Sequence, residues 1–129
     1  MKAYTDLSQS KKLAEFLPLE SADMVLLHEE PYETSDSKFD GLHQALCVPF
    51  NKYDRSWRQK YRNISYFPCW SLSALLNVLP KIVNNETLFI ETSPALWHIG
   101  YRNAYIARTV NLVDACYKLI LKLHEMNLL

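Results

Sequence analysis

Glycine is nearly missing from this chain: Gly41 and Gly100 are the only two in 129 residues. Loops that cradle phosphate need glycines so that backbone N–H groups can come close to the anion. Neither a Walker loop nor a dinucleotide fingerprint can be written here, which argues against the classical nucleotide-binding folds. Cysteine is sparse as well. Cys47, Cys69 and Cys116 form an odd, widely spaced set, which does not suggest a disulfide framework. No N-terminal apolar run looks like a signal peptide, and no stretch approaches the length of a membrane span. The expectation is a cytoplasmic, reducing environment with no membrane partner. Two glycosylation sequons, at Asn63 and Asn85, mean little in that setting.

Net charge is missing too. Fourteen Lys and Arg balance fourteen Asp and Glu, so no global field steers the chain toward a polyanion or a membrane. The balance hides an asymmetry. Residues 1–40 hold nine acids and four bases, and residues 41–129 hold five acids and ten bases.

What is present is the material of a folded domain. The length suits a single globular domain over residues 1–129, and 49% apolar with 22% charged residues is ordinary for one. The strongest pattern is at the end, where Thr109–Leu129 reads as one amphipathic helix. At 100° per residue, Leu112, Ala115, Cys116, Leu119, Ile120, Leu123 and Met126 share a broad arc. Asn111 is its N-cap, with Asp114 placed where the helix dipole favours negative charge. Asp6–Leu17 reads as a first helix, opened by a capping-box pair of Asp6 and Gln9 and stopped by Pro18. Leu7, Leu13, Ala14, Phe16 and Leu17 form its apolar side. Ser71–Leu79 reads as a second helix, with Ser71 as N-cap, Leu72, Leu75, Leu76 and Leu79 at helical spacing, and Pro80 after it.

Ala22–His28, Leu42–Val48, Ile64–Phe67, Thr87–Glu91 and Ala95–Tyr101 read as strands. Glu29–Gly41 reads as an acidic loop, and Ser93-Pro94 as a turn. The predicted order is α-β-β-β-α-β-β-α. Short connections predict an α+β fold with a mostly antiparallel sheet of about five strands and three helices packed on one face.

Three stretches carry a resemblance: Ser10–Met24 (SKKLAEFLPLESADM), Trp70–Pro80 (WSLSALLNVLP), and the run from Asp114-Ala115-Cys116 to His124-Glu125-Met126-Asn127. They resemble short uncharacterised proteins of gut anaerobes and of their phages and mobile elements. The resemblance covers about half the chain and touches structural motifs, while the segment from Glu29 to Asn63 lies outside it. It implies a similar small α+β fold and a bacterial or phage cytoplasmic origin. No activity is assigned to that group, so no functional residue is carried over.

Candidate chemistry is thin. Among His28, His43, Cys47, Cys69, His98, Cys116 and His124, only His43 and Cys47 show metal-ligand spacing. Zinc sites need a second such pair, so no metal and no cofactor is expected. Cys69 lies just before the second helix, where a helix N-terminus could lower a thiol pKa, with His98 or His43 as base. Trp70 beside it makes it look like a packed junction, and no nucleophile motif surrounds it. Cys116 falls inside the apolar arc of the last helix. Ser71 lacks a glycine-flanked nucleophile elbow and is better read as a cap. Glu29, Glu30, Glu33, Asp36 and Asp40 do not fit a calcium loop and read as a solvated acidic segment.

Asn51–Asn63 is more suggestive. It holds Lys52, Arg55, Arg58, Lys60 and Arg62 against the single acid Asp54, and Tyr53, Trp57 and Tyr61 recur every four residues. Basic groups neutralise phosphates and aromatic faces stack on unpaired bases. At helical spacing the same aromatics form one stripe, which packs on the domain or on a partner. Whole-chain neutrality favours the second reading over nucleic acid. The sequence therefore points to a small non-enzymatic protein that engages a protein partner or a second copy of itself. Its candidate surface is Tyr53, Arg55, Trp57, Arg58, Tyr61 and Arg62, with Leu121 on the polar side of the last helix. The alternative is single-stranded nucleic-acid binding through residues 51–63. A small enzyme using Cys69 or a histidine ranks third.

Overall fold

The computed structural model describes residues 2–29, 46–49 and 64–129. Its elements run α1 (Leu7–Ala14), a short 3-10 turn (Leu19–Ser21), β1 (Met24–Glu29), β2 (Leu46–Pro49), β3 (Ile64–Cys69), α2 (Leu72–Val78), β4 (Ile82–Val83), β5 (Glu86–Thr87), β6 (Phe89–Thr92), β7 (Trp97–Gly100), β8 (Ile106–Thr109) and α3 (Leu112–Glu125). The class is α+β, with every paired strand antiparallel. The described strands are not joined in the expected single five-stranded sheet. Among the described residues they form three ladders, ordered β2-β1-β3, β4-β5 and β6-β7-β8. The chain divides into two compact units, Asp6–Cys69 on the one hand and Met1–Thr5 with Trp70–Leu129 on the other.

In the Asp6–Cys69 unit, α1 begins as its capping residues dictate. The Asp6 carboxylate accepts from the Gln9 N–H at 2.8 Å, and the Gln9 side chain accepts from the Asp6 N–H at 3.2 Å. The expected helix to Leu17 stops at Ala14. The Phe16 N–H turns back to the Leu13 carbonyl, tightening the last turn ahead of Pro18. The buried stripe is Ser10, Leu13 and Leu17, while Ala14 is exposed. Ser10 is thus buried beside Leu13, and Ala14 of the expected apolar side faces solvent. The helix packs on β3, with the Lys11 ammonium 5.0 Å from the Phe67 ring centre.

β1 is the central strand of this unit's sheet. Successive strand residues point to opposite faces, and Val25 and Leu26 are both buried, so both faces are covered there. Pro68 does not end β3, as its sequence suggested. It stands inside the strand, opposite Val25. β3 and β2 are the outer strands of this ladder, and a proline on an edge can turn its missing N–H away from the pairing. Pro49 sits opposite Met24 on the other outer strand.

In the second unit, Ser71 caps α2 by accepting from the Ala74 N–H at 3.2 Å. Ala74, Leu75 and Leu79 are buried, and Ser73 and Asn77 are exposed. Asn111 caps α3, accepting from Val113 N–H at 2.8 Å and Asp114 N–H at 3.3 Å. The predicted arc is buried at Ala115, Cys116, Leu119, Ile120 and Leu123, and Val113 joins it. The helix ends at Glu125 rather than Leu129 because Asn127 adopts a left-handed φ of 55°. Leu128 N–H then bonds the Leu123 carbonyl and Asn127 N–H the His124 carbonyl, a Schellman closure with asparagine in the usual glycine place.

α3 packs on α2, β7 and β8. Ile90, Ile99 and Ala107 lie in one row across the three strands, and Ile99 and Ala107 are buried. Three features were not anticipated. The expected strand Thr87–Glu91 is two elements. A β4–β5 hairpin turns at Asn84 and Asn85 with φ of 50° and 65°, the positive values a two-residue type I′ turn requires, and β6 follows after Leu88. β8 adds a further strand. The start of the chain runs beside residues 70–72, with Thr5 N–H donating to the Trp70 carbonyl and Leu72 N–H to the Ala3 carbonyl. Thr5 is fully buried, its hydroxyl oxygen accepting from the Trp70 N–H, and Lys2 Nζ meets Asp114 at 2.7 Å.

Candidate functional site

The six sequence-selected surface residues Tyr53, Arg55, Trp57, Arg58, Tyr61 and Arg62 lie outside the described residues, as do His43 and the acidic residues beyond Glu29. Leu121, the remaining surface candidate, is half-buried on α3. Of the other candidates, His28 stands in β1 and Cys47 in β2. Cys69 is the last residue of β3, paired with Met24, and is fully buried. Cys116 is in the buried arc of α3, and burial pushes its thiol up to about 12. Ser71 is a helix cap. His124 is exposed in the last turn of α3. No group of three or more His, Cys, Asp or Glu is arranged to hold a metal ion among the described residues.

A thiol that is buried and held neutral is a poor nucleophile, because the thiolate is the reactive form. Alkylation of the native protein at pH 8 is expected to leave Cys69 and Cys116 unmodified, and alkylation in denaturant to modify both. Peptide mass mapping reads this directly. Stoichiometric native modification of Cys69 would restore the thiol-enzyme reading.

The described surface with the most distinctive geometry is the β6-β7-β8 sheet. Among the described residues β6 is an outer strand, paired on one side to β7. Ile90, Glu91 and Thr92 are all exposed, and Ile90 keeps 43% of its area in solvent. An outer strand presents a row of backbone N–H and C=O groups to the outside. On β8 Ala107 is buried and Arg108 exposed.

Two turns frame β6. The β7–β8 turn sends Arg102 back across the sheet. Its guanidinium lies 4.6 Å from the Phe89 ring centre and 2.9 Å from a Glu91 oxygen. Asn103 donates to Glu86 at 3.0 Å. Both members of the Arg102–Glu91 pair are well exposed, so the pair contributes little stability. What it does is hold a charged lid over Phe89 on the face opposite the buried Ile99–Ala107 row. Tyr101 anchors the turn from inside. It is fully buried and its hydroxyl donates to the Pro80 carbonyl, and burial raises the phenol to about 12.

At the β6–β7 turn, His98 Nε2 lies 3.1 Å from Ser93 Oγ. Ser93 N–H donates to the Leu96 carbonyl at 2.9 Å, and its hydroxyl reaches the same oxygen at 3.4 Å. Which atom donates in the Ser93–His98 contact is set by the histidine tautomer. The pair locks the turn. In the ladder, His98 stands between Glu91 and Arg108.

Sequence reasoning placed Ser93-Pro94 in a turn but did not single out β6 as an edge. The alternation over residues 87–91 marks strand material, and nothing local marks which strand will lack a second neighbour. No protein-family model, no curated protein and no solved structure matches the chain.

Proposed function

We propose that this chain is a small binding protein whose partner is another protein, or a second copy of itself. The observation that carries the reading is the outer strand β6, exposed from Ile90 to Thr92 with a large apolar side chain on it. Such an edge accepts an extended segment by backbone hydrogen bonding, with side-chain contacts adding selectivity. The basic-aromatic segment with Tyr53, Arg55, Trp57, Arg58, Tyr61 and Arg62 has the composition that interfaces favour. An accessory role in a bacterial phage or mobile element would suit the sequence resemblance.

A photo-crosslinking residue placed at Thr92 tests the edge in cells that express the protein. A defined protein adduct, or one of dimer size, is the expected product. Ile90→Lys should cut its yield roughly tenfold, as for loss of an interface anchor guarded by a charge. No adduct at Thr92, or an adduct indifferent to Ile90→Lys, would overturn the edge reading.

The second reading is single-stranded nucleic-acid binding through residues 51–63. It is favoured by five bases against one acid, interleaved with three aromatics. The enzyme reading through Cys69 is weakened by the complete burial of that thiol.

A further inference from the structure

We draw no further inference here: the strongest candidate, the exposed Ser93–His98 side-chain pair at the β6–β7 turn, belongs to the site already described and carries nothing beyond it, because its serine is committed to closing that turn on the Leu96 carbonyl.

Discussion

Leu119→Ala should lower the stability of the protein by about 2–5 kcal/mol, the range for removing a buried leucine side chain and leaving a cavity behind. Leu119 has no exposed area and lies mid-way along α3, the helix that packs on α2, β7 and β8. Lys118, its neighbour in sequence, is exposed, and Lys118→Ala should cost about 0.5 kcal/mol or less. Chemical denaturation followed by tryptophan fluorescence reads this unit through Trp70 and Trp97, with Trp57 reporting on the other unit. Equal and small losses for the two variants would mean that α3 is peripheral.

Gly100→Ala is expected to be comparably damaging, for the opposite reason. A Cβ on Gly100 would fall 2.1 Å from the Tyr105 carbonyl oxygen and 2.7 Å from the Ile106 Cα. Both obstacles are backbone, so no side chain can swing aside. Tyr105 oxygen also accepts from Tyr101 N–H at 2.9 Å, and Gly100 is the ladder partner of Ile106. Making room therefore means separating β7 from β8 at the turn that carries the buried Tyr101 and the Arg102 lid. Overpacking of this kind costs about 1–3 kcal/mol, and more where backbone must move. A fully stable Gly100→Ala variant with unchanged tryptophan fluorescence would contradict the close approach of the two strands. In the sequence this glycine counted as a scarcity that argued against phosphate loops. Its structural use is steric and depends on a strand that has no strong signal of its own.

Local signals specify caps and long helices, and pairing between distant strands leaves few. Asp6, Ser71 and Asn111 all cap the helices their sequences announce, because a cap is decided by side chain and backbone within three residues. The arc of α3 was readable for the same reason, since fourteen residues sample the helical period several times. The β4–β5 hairpin and β8 have two to four residues per strand, too few to show a period. Asn84-Asn85 was the available cue for the hairpin, since asparagine tolerates positive φ better than most residues. Pairing of the chain start with residues 70–72 leaves no local trace at all. It joins Thr5 to Trp70 across more than half the sequence, through backbone bonds and one buried hydroxyl.

The candidate site divides along the same line. The basic-aromatic character of residues 51–63 is compositional and can be read directly. The edge position of β6 is topological, since among the described residues β7 is its one ladder partner. An alternating pattern states that a strand has a buried face, and says nothing about how many neighbours it will have. The Ser93–His98 contact likewise needs the β6–β7 hairpin to bring the two residues together.

The most direct test of the binding proposal is a titration of a labelled single-stranded oligonucleotide with the full chain at low salt, followed by fluorescence anisotropy, with Trp57→Ala alongside. A protein-binding role predicts either no binding or weak binding that is indifferent to Trp57→Ala. Tight binding would contradict it if affinity fell steeply with added salt, as released counterions require, and if Trp57→Ala removed roughly 1–3 kcal/mol of stacking while the fold stayed intact.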